Sequence, residues 1–222
     1  MHHIYTTKAI IIRSIPIGEA NKYYFLLTED LGFIRAAAQG VRLDKSKLKG
    51  HLQDFCFVEI SLVKGRDIWR ITSVQTIEAG DFIKNTNKLI AIKNVFNLLT
   101  RLLHGEEKNE ALFASVESFY NFLLKNKLNL ENIKNLETIT VLRILYHLGY
   151  FKKTSPTLMV GAPKPARTVG SPTESSVAKN VGVDFSDFVK DYDLSLETLD
   201  SFKKNRQIAI LDINNALNET HL

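Results

Sequence analysis

Cysteine is almost missing: Cys56 is the only one in 222 residues. With no second thiol, the chain can form neither an internal disulfide nor a cysteine-based zinc site. Cys56 lies in the apolar run from Phe55 to Ile60, where a cysteine behaves as a small inert hydrophobe rather than a nucleophile. The six histidines, His2, His3, His51, His104, His147 and His221, show no ligand spacing beyond the adjacent terminal pair. No apolar run approaches the ~20 residues that cross a bilayer. The N-terminal Met1-His2-His3-Ile4-Tyr5 has no basic region followed by an apolar stretch, as a secretory signal would. A cytoplasmic protein with no membrane partner is therefore expected. Glycine-rich phosphate loops, dinucleotide fingerprints and nucleophile elbows are absent too, and the carboxylates are scattered. A binding protein without enzymatic activity, metal or cofactor explains these absences most simply.

What is present is ordinary globular material, 45% hydrophobic and 24% charged, with a net charge of +5. That excess leans weakly towards an anionic partner. Five short β-compatible runs fill the first 80 residues. Residues 4–15 are apolar on both parities around Ala9-Ile10-Ile11-Ile12, as in a strand buried on two faces. Tyr23 to Thr28 and Phe33 to Gln39 read as a hairpin about Asp30-Leu31-Gly32, and Gln53 to Val63 and Ile68 to Thr76 as a second pair about Lys64-Gly65-Arg66-Asp67. Five strands of this length suggest a small antiparallel barrel, and the OB-fold fits the count.

After Asp81 the period becomes helical. Leu89, Ile92, Val95, Phe96, Leu99, Leu102 and Leu103 predict one helix, closed by Gly105. Glu106 and Glu107 are expected to open the next, with Leu112, Val116, Phe119, Phe122 and Leu123 on its buried stripe. A third, from Ile133 to Leu148, is apolar nearly all round and is expected at the bundle centre. Short helices are expected over 183–192, after Ser195, and from Ile208 to Leu217. The fold class is thus α+β: an OB-fold barrel over residues 1–80, then an all-helical domain over 81–222 with its own core. A proline-, serine- and threonine-rich basic insert without cysteine interrupts the helices at about 152–180.

The functional signal is basic. Between the barrel strands lies Gly40-Val41-Arg42-Leu43-Asp44-Lys45-Ser46-Lys47-Leu48-Lys49-Gly50, with four cations against one acid. Clustered ammonium and guanidinium groups displace counterions from a nucleic-acid backbone, although a merely solvated loop has the same composition. Arg35 alternates with Ile34 and Ala36 and should point outward. His51 sits beside the loop, within reach of a phosphate. Arg66 and Arg70 join the candidate set by charge and position, as does Lys22. Tyr24 shares Lys22's parity and is the expected outward ring for a stacked base, while Tyr23, Phe25, Phe33 and Trp69 are expected mostly inside.

The succession Ala9-Ile10-Ile11-Ile12, Gly18-Glu19-Ala20-Asn21-Lys22, Leu31-Gly32, Ala38-Gln39-Gly40-Val41-Arg42, Lys45-Ser46-Lys47-Leu48 and Phe57-Val58-Glu59-Ile60 resembles the bacterial recombination mediator RecO family. The Gly-x-Arg followed by Lys-Ser-Lys is its most specific part, and the likeness runs over about residues 4–80. The resemblance implies a non-enzymatic DNA repair protein that binds single- and double-stranded DNA and anneals complementary strands. It also implies recognition of the C-terminal tail of single-stranded-DNA-binding protein and, with RecR, help in loading RecA. On that resemblance the DNA role falls on Arg35, Arg42, Lys45, Lys47 and Lys49. Many members carry two Cys-x-x-Cys pairs after the third helix; here Phe151 to Asn180 holds no cysteine, so no zinc module is expected. Two other readings stay open: an RNA-binding OB protein, and an adaptor whose helices bind protein.

Overall fold

The computed structural model describes residues 3–82, 84–151, 185–190 and 193–219. Five strands come first: β1 (Ile4–Ile17), β2 (Asn21–Thr28), β3 (Gly32–Ala38), β4 (Phe57–Lys64) and β5 (Trp69–Glu78). They close into a barrel in the order β1-β2-β3-β5-β4, with β4 pairing back to β1. Every pairing is antiparallel except β3 with β5, which is parallel and confined to Ala36 opposite Trp69 and Ala37 opposite Arg70. The expected OB-fold architecture is present.

The two-faced apolar pattern of β1 has a specific cause. Ala9 and Ile11 point into the barrel with Tyr24, Leu26, Ile34, Val58 and Ile60. Ile10 and Ile12 point the other way and join the helical core, together with Leu27 and Phe57. The barrel interior is thus a cluster of its own, but the helical domain does not have the self-contained core expected for it. Its core includes one outer wall of the barrel.

Among the described residues six helices follow: α1 (Thr86–Leu102), α2 (Glu110–Lys125), α3 (Leu130–His147), α4 (Ser186–Lys190), α5 (Leu196–Phe202) and α6 (Arg206–Glu219). Asn85, Asn109, Asn129 and Ser195 cap the first three and the fifth, each side chain accepting a backbone N–H that the first turn leaves unpaired. The second helix therefore starts at Glu110 rather than at Glu106, because Asn109 supplies the cap. β4 likewise starts at Phe57, later than expected, after a turn in which Phe55 adopts a positive φ of 69°.

α3 packs against α1, α2, α4, α5 and α6, as its apolar pattern suggested. Four of its polar residues, Asn135, Thr138, Thr140 and Arg143, are buried as well. The Arg143 Nε donates to the Phe188 carbonyl at 2.8 Å, and the Asn135 amide donates to the Leu199 carbonyl at 2.9 Å. Arg206 donates in turn to Asn135 Oδ1 at 2.9 Å, so these side chains tie the last three helices to the centre. The basic insert at 152–180 lies outside the described residues.

Barrel and helices are joined by the α1–α2 connection. Glu106 accepts from the Trp69 indole at 2.8 Å and from Lys64 at 2.9 Å, while Lys108 pairs with Asp30 at 3.3 Å. Gly32, at φ +70°, lies so close that a Cβ there would fall on the Glu107 backbone.

Candidate nucleic-acid interface

The hairpin register sets which rings face outward. Thr28 pairs with Gly32, so Phe25 lies opposite Arg35 and Tyr24 opposite Ala36, and directly paired residues share a face. Because Arg35 is exposed, Phe25 and Tyr23 turn outward with it and Tyr24 turns in. The expectation of an outward Tyr24 is therefore wrong. Its ring is fully buried, and its hydroxyl donates to the Leu52 carbonyl at 3.3 Å. Burial, reinforced by the Asp54 carboxylate, pushes its pKa up to about 12.

The outward rings each carry a guanidinium. Arg35 lies over Tyr23, 5.3 Å from the ring centroid, and Arg13 over Phe25 at 4.2 Å. Arg13 reaches this face through a bulge: Ile11 pairs with Leu26 and Arg13 with Phe25, leaving Ile12 as the extra residue. In an unbroken strand, Arg13 would share the inward parity of Ala9 and Ile11. Phe25 and Phe33 pack partly on the helical core, so the face begins at that seam and runs outward to Tyr23, Ala37 and exposed Ile15. Arg13 and Tyr23 were missed as site residues; extending the hairpin register from Arg35 would have found Tyr23, whereas nothing in the sequence marks the bulge.

Of the predicted cations, Lys22 is half-buried opposite Ala38 at the start of β2. Arg42 donates from Nη1 to the Gly18 carbonyl at 2.7 Å, and its amide donates to the Ala20 carbonyl at 3.0 Å, so it pins the basic loop to the β1–β2 turn. Val41 and Leu52 anchor the same loop in the barrel core. Lys49 is exposed and pairs with Asp44 at 3.0 Å. Lys45 and Lys47 are exposed, and among the described residues neither forms an ion pair. Arg70 donates to Gln39 Oε1 at 2.9 Å and so stands where the loop leaves β3. Arg66 sits in the β4–β5 turn, which the parallel register directs towards the N-terminal end of β3, away from the loop. The structure thus groups Arg35, Arg42 and Arg70 with the β2–β3 outer face and its loop, leaves Lys22 on the Tyr24 side at the start of β2, and separates Arg66 from them. His51 is turned to Thr76 Oγ1 at 2.9 Å.

Among the described residues, no cluster of three or more His, Cys, Asp or Glu is placed to hold a metal, and no helix is long and apolar enough to cross a membrane. Residues 1–79 match the family model described as Recombination protein O N terminal. The barrel is similar to this N-terminal domain of the RecO family.

Curated relatives carry the same family name. A Dehalococcoides mccartyi protein named DNA repair protein RecO is 41% identical over 112 residues, covering 50% of this chain and 44% of the relative. One of the same name from Clostridium novyi is 32% identical over 130 residues, covering 58% and 50%. The chain spans about half the length of these RecO relatives. Among solved structures, Entamoeba histolytica asparaginyl-tRNA synthetase overlaps at 13% identity and a TM-score of 0.31, over 54% of this chain and 32% of that one, too low to bear on fold or function. In this barrel the Gly40-Val41-Arg42 turn follows the end of β3, and hydrogen bonds from Gly40 to Asn21 and from Arg42 to Gly18 and Ala20 hold it against the β1–β2 turn.

Proposed function

We propose that this chain is a non-enzymatic DNA-binding protein of recombinational repair, whose barrel holds single-stranded DNA across the β1–β2–β3 outer face. The observation that carries the reading is the pairing of Arg35 with Tyr23 and Arg13 with Phe25 on that face, in a barrel similar to that of the RecO family. Guanidinium groups there would meet phosphates while the rings offer stacking surfaces to bases, a combination that tolerates any sequence. Lys45, Lys47 and Lys49 extend the phosphate track along the loop, and Lys22, Arg42 and Arg70 flank it. Strand annealing and the loading of RecA with RecR follow from the family reading, and so does the repair role carried in the relatives' names.

A partner for the helices is part of the same proposal. A cavity of about 400 Å³ between α3 and α6 is lined by Lys134, Arg206, Glu137 and Thr138 around Val141, Ile210 and Ile213. Two cations against one carboxylate leave a net positive rim about an apolar floor, which suits the acidic tail of single-stranded-DNA-binding protein. The double substitution Lys45→Glu/Lys47→Glu tests the DNA reading. Single-stranded DNA affinity should fall, and the slope of log affinity against log salt should lose about 0.7 for each phosphate contact removed. Unchanged affinity and slope would remove the loop from the site, and a preference for RNA that depended on the 2′-hydroxyl would favour an RNA-binding barrel.

A further inference from the structure

The barrel wall has a gap where β3 meets β5. Pairing between them stops after Ala37 opposite Arg70, and β5 then carries a bulge, since Leu62 pairs with Ile71 but Ser61 pairs with Ser73. The extra residue is Thr72, whose hydroxyl donates to the Ser61 carbonyl at 3.0 Å. A cavity of about 290 Å³ opens there, lined by Ala37, Gln39, Val63, Arg70, Ile71 and Thr72. Ala37, Val63 and Ile71 supply apolar walls, and the Arg70 guanidinium stands at the rim, held at 2.9 Å by Gln39. Tyr23 lies next to the opening, because it pairs with Ala37.

We propose that this gap is a subsite for one unstacked base of a bound single strand, with Arg70 contacting the base edge rather than a phosphate. The inference rests on the DNA-binding reading above. The volume falls at the small end of ligand pockets, too small for a peptide or helix and suited to one heterocycle. The chemistry of the walls matches that object: apolar surface for the ring faces, and at the rim guanidinium N–H groups, the Gln39 amide donor and a Thr72 oxygen free to accept. A splayed base is recognised by such an arrangement of stacking surface and edge hydrogen bonds. Bulges commonly re-aim side chains beside binding sites, and this one leaves Arg70 and Thr72 at the rim with Ile71 between them in the floor. The contact requires an unpaired strand, because a base held in a duplex cannot enter.

The test is fluorescence anisotropy of the full chain with a single-stranded oligonucleotide and a matched strand bearing abasic sugars, at several salt concentrations. Ala37→Phe places a ring inside the cavity. It should weaken binding of the base-bearing strand about tenfold and leave the abasic strand unaffected. Arg70→Lys leaves the cavity open and the charge in place. It should weaken the base-bearing strand with no change in salt slope, because an ammonium lacks the planar fork. Equal losses on both strands for Ala37→Phe, or a base-bearing strand that tolerates Arg70→Lys, would overturn the subsite while leaving the DNA reading intact. A wild-type protein that binds neither strand would overturn both.

Discussion

Tyr24 and Tyr23 are neighbours with opposite fates. Tyr24 is buried with its hydroxyl on the Leu52 carbonyl, so Tyr24→Phe should cost about 0.5–1.5 kcal/mol of stability at neutral pH. The same burial gives a pH signature. Its pKa is raised from 10.0 to about 12, so the folded chain keeps a proton that the unfolded chain releases. The contribution is fully present below pH 10 and should be lost as the pH rises through about 12, a decline that Tyr24→Phe should lessen in denaturant titrations from pH 9 to 12. Tyr23, by contrast, should be nearly silent in stability and visible in binding. Tyr23→Ala together with Arg35→Ala should reduce single-stranded DNA affinity, by about 1–3 kcal/mol for the stacking ring alone, with little change in melting temperature.

At the scale of elements, asparagine caps decide where the helices start. The Asn109 side chain accepts the Leu112 N–H at 2.9 Å, and Asn109→Ala should destabilise the chain by about 1 kcal/mol in chemical denaturation. The predicted start at Glu106 and Glu107 placed acidic residues at a helix N-terminus, which is sound as a local rule. The structure uses Glu106 between elements instead. Burial pushes its carboxyl pKa up, but hydrogen bonds from Lys64 and Trp69 outweigh this and hold it below the usual value. The contribution of Glu106 is present above the ordinary carboxylate range and is lost as the pH falls through the lowered pKa. Acid titration should therefore change Trp69 fluorescence in that range, and Glu106→Gln should abolish the change. Because Glu106 is well exposed, the stability effect should stay below about 1 kcal/mol.

The whole molecule should unfold as one unit. Ile10, Ile12, Leu27 and Phe57 belong to strands yet lie in the helical core. Trp69 is the single tryptophan and lies in the barrel, so its fluorescence follows the barrel while far-ultraviolet ellipticity follows mainly the helices. The two should give coincident thermal midpoints. Phe57→Ala, which opens a cavity at the seam, should lower both together and cost about 3–5 kcal/mol. Two separate transitions would show that the barrel and helices melt independently.

Much of this was legible in the residues themselves. Strand alternation, the Gly32 turn and the helical repeat of Leu, Ile and Phe are local patterns, and they determined the strand count, the barrel-then-helices order and the exposure of Arg35. The basic loop was equally plain, because it is contiguous. Other features depend on how strands pair and pack. The extra residues Ile12 and Thr72 re-aim side chains only when a neighbouring strand sets the register, so Arg13 and the β3–β5 gap left no mark in one dimension. The docking of β1 on the helices joined two apolar patterns whose partners lie far apart in the chain. Sequence by itself determined which segments become strands and helices, because backbone propensity and side-chain period act over a few residues. Tertiary structure alone decided that Arg13 joins the outward rings and that the wall opens between β3 and β5, because both follow from bulges set by strand register and from the burial it imposes.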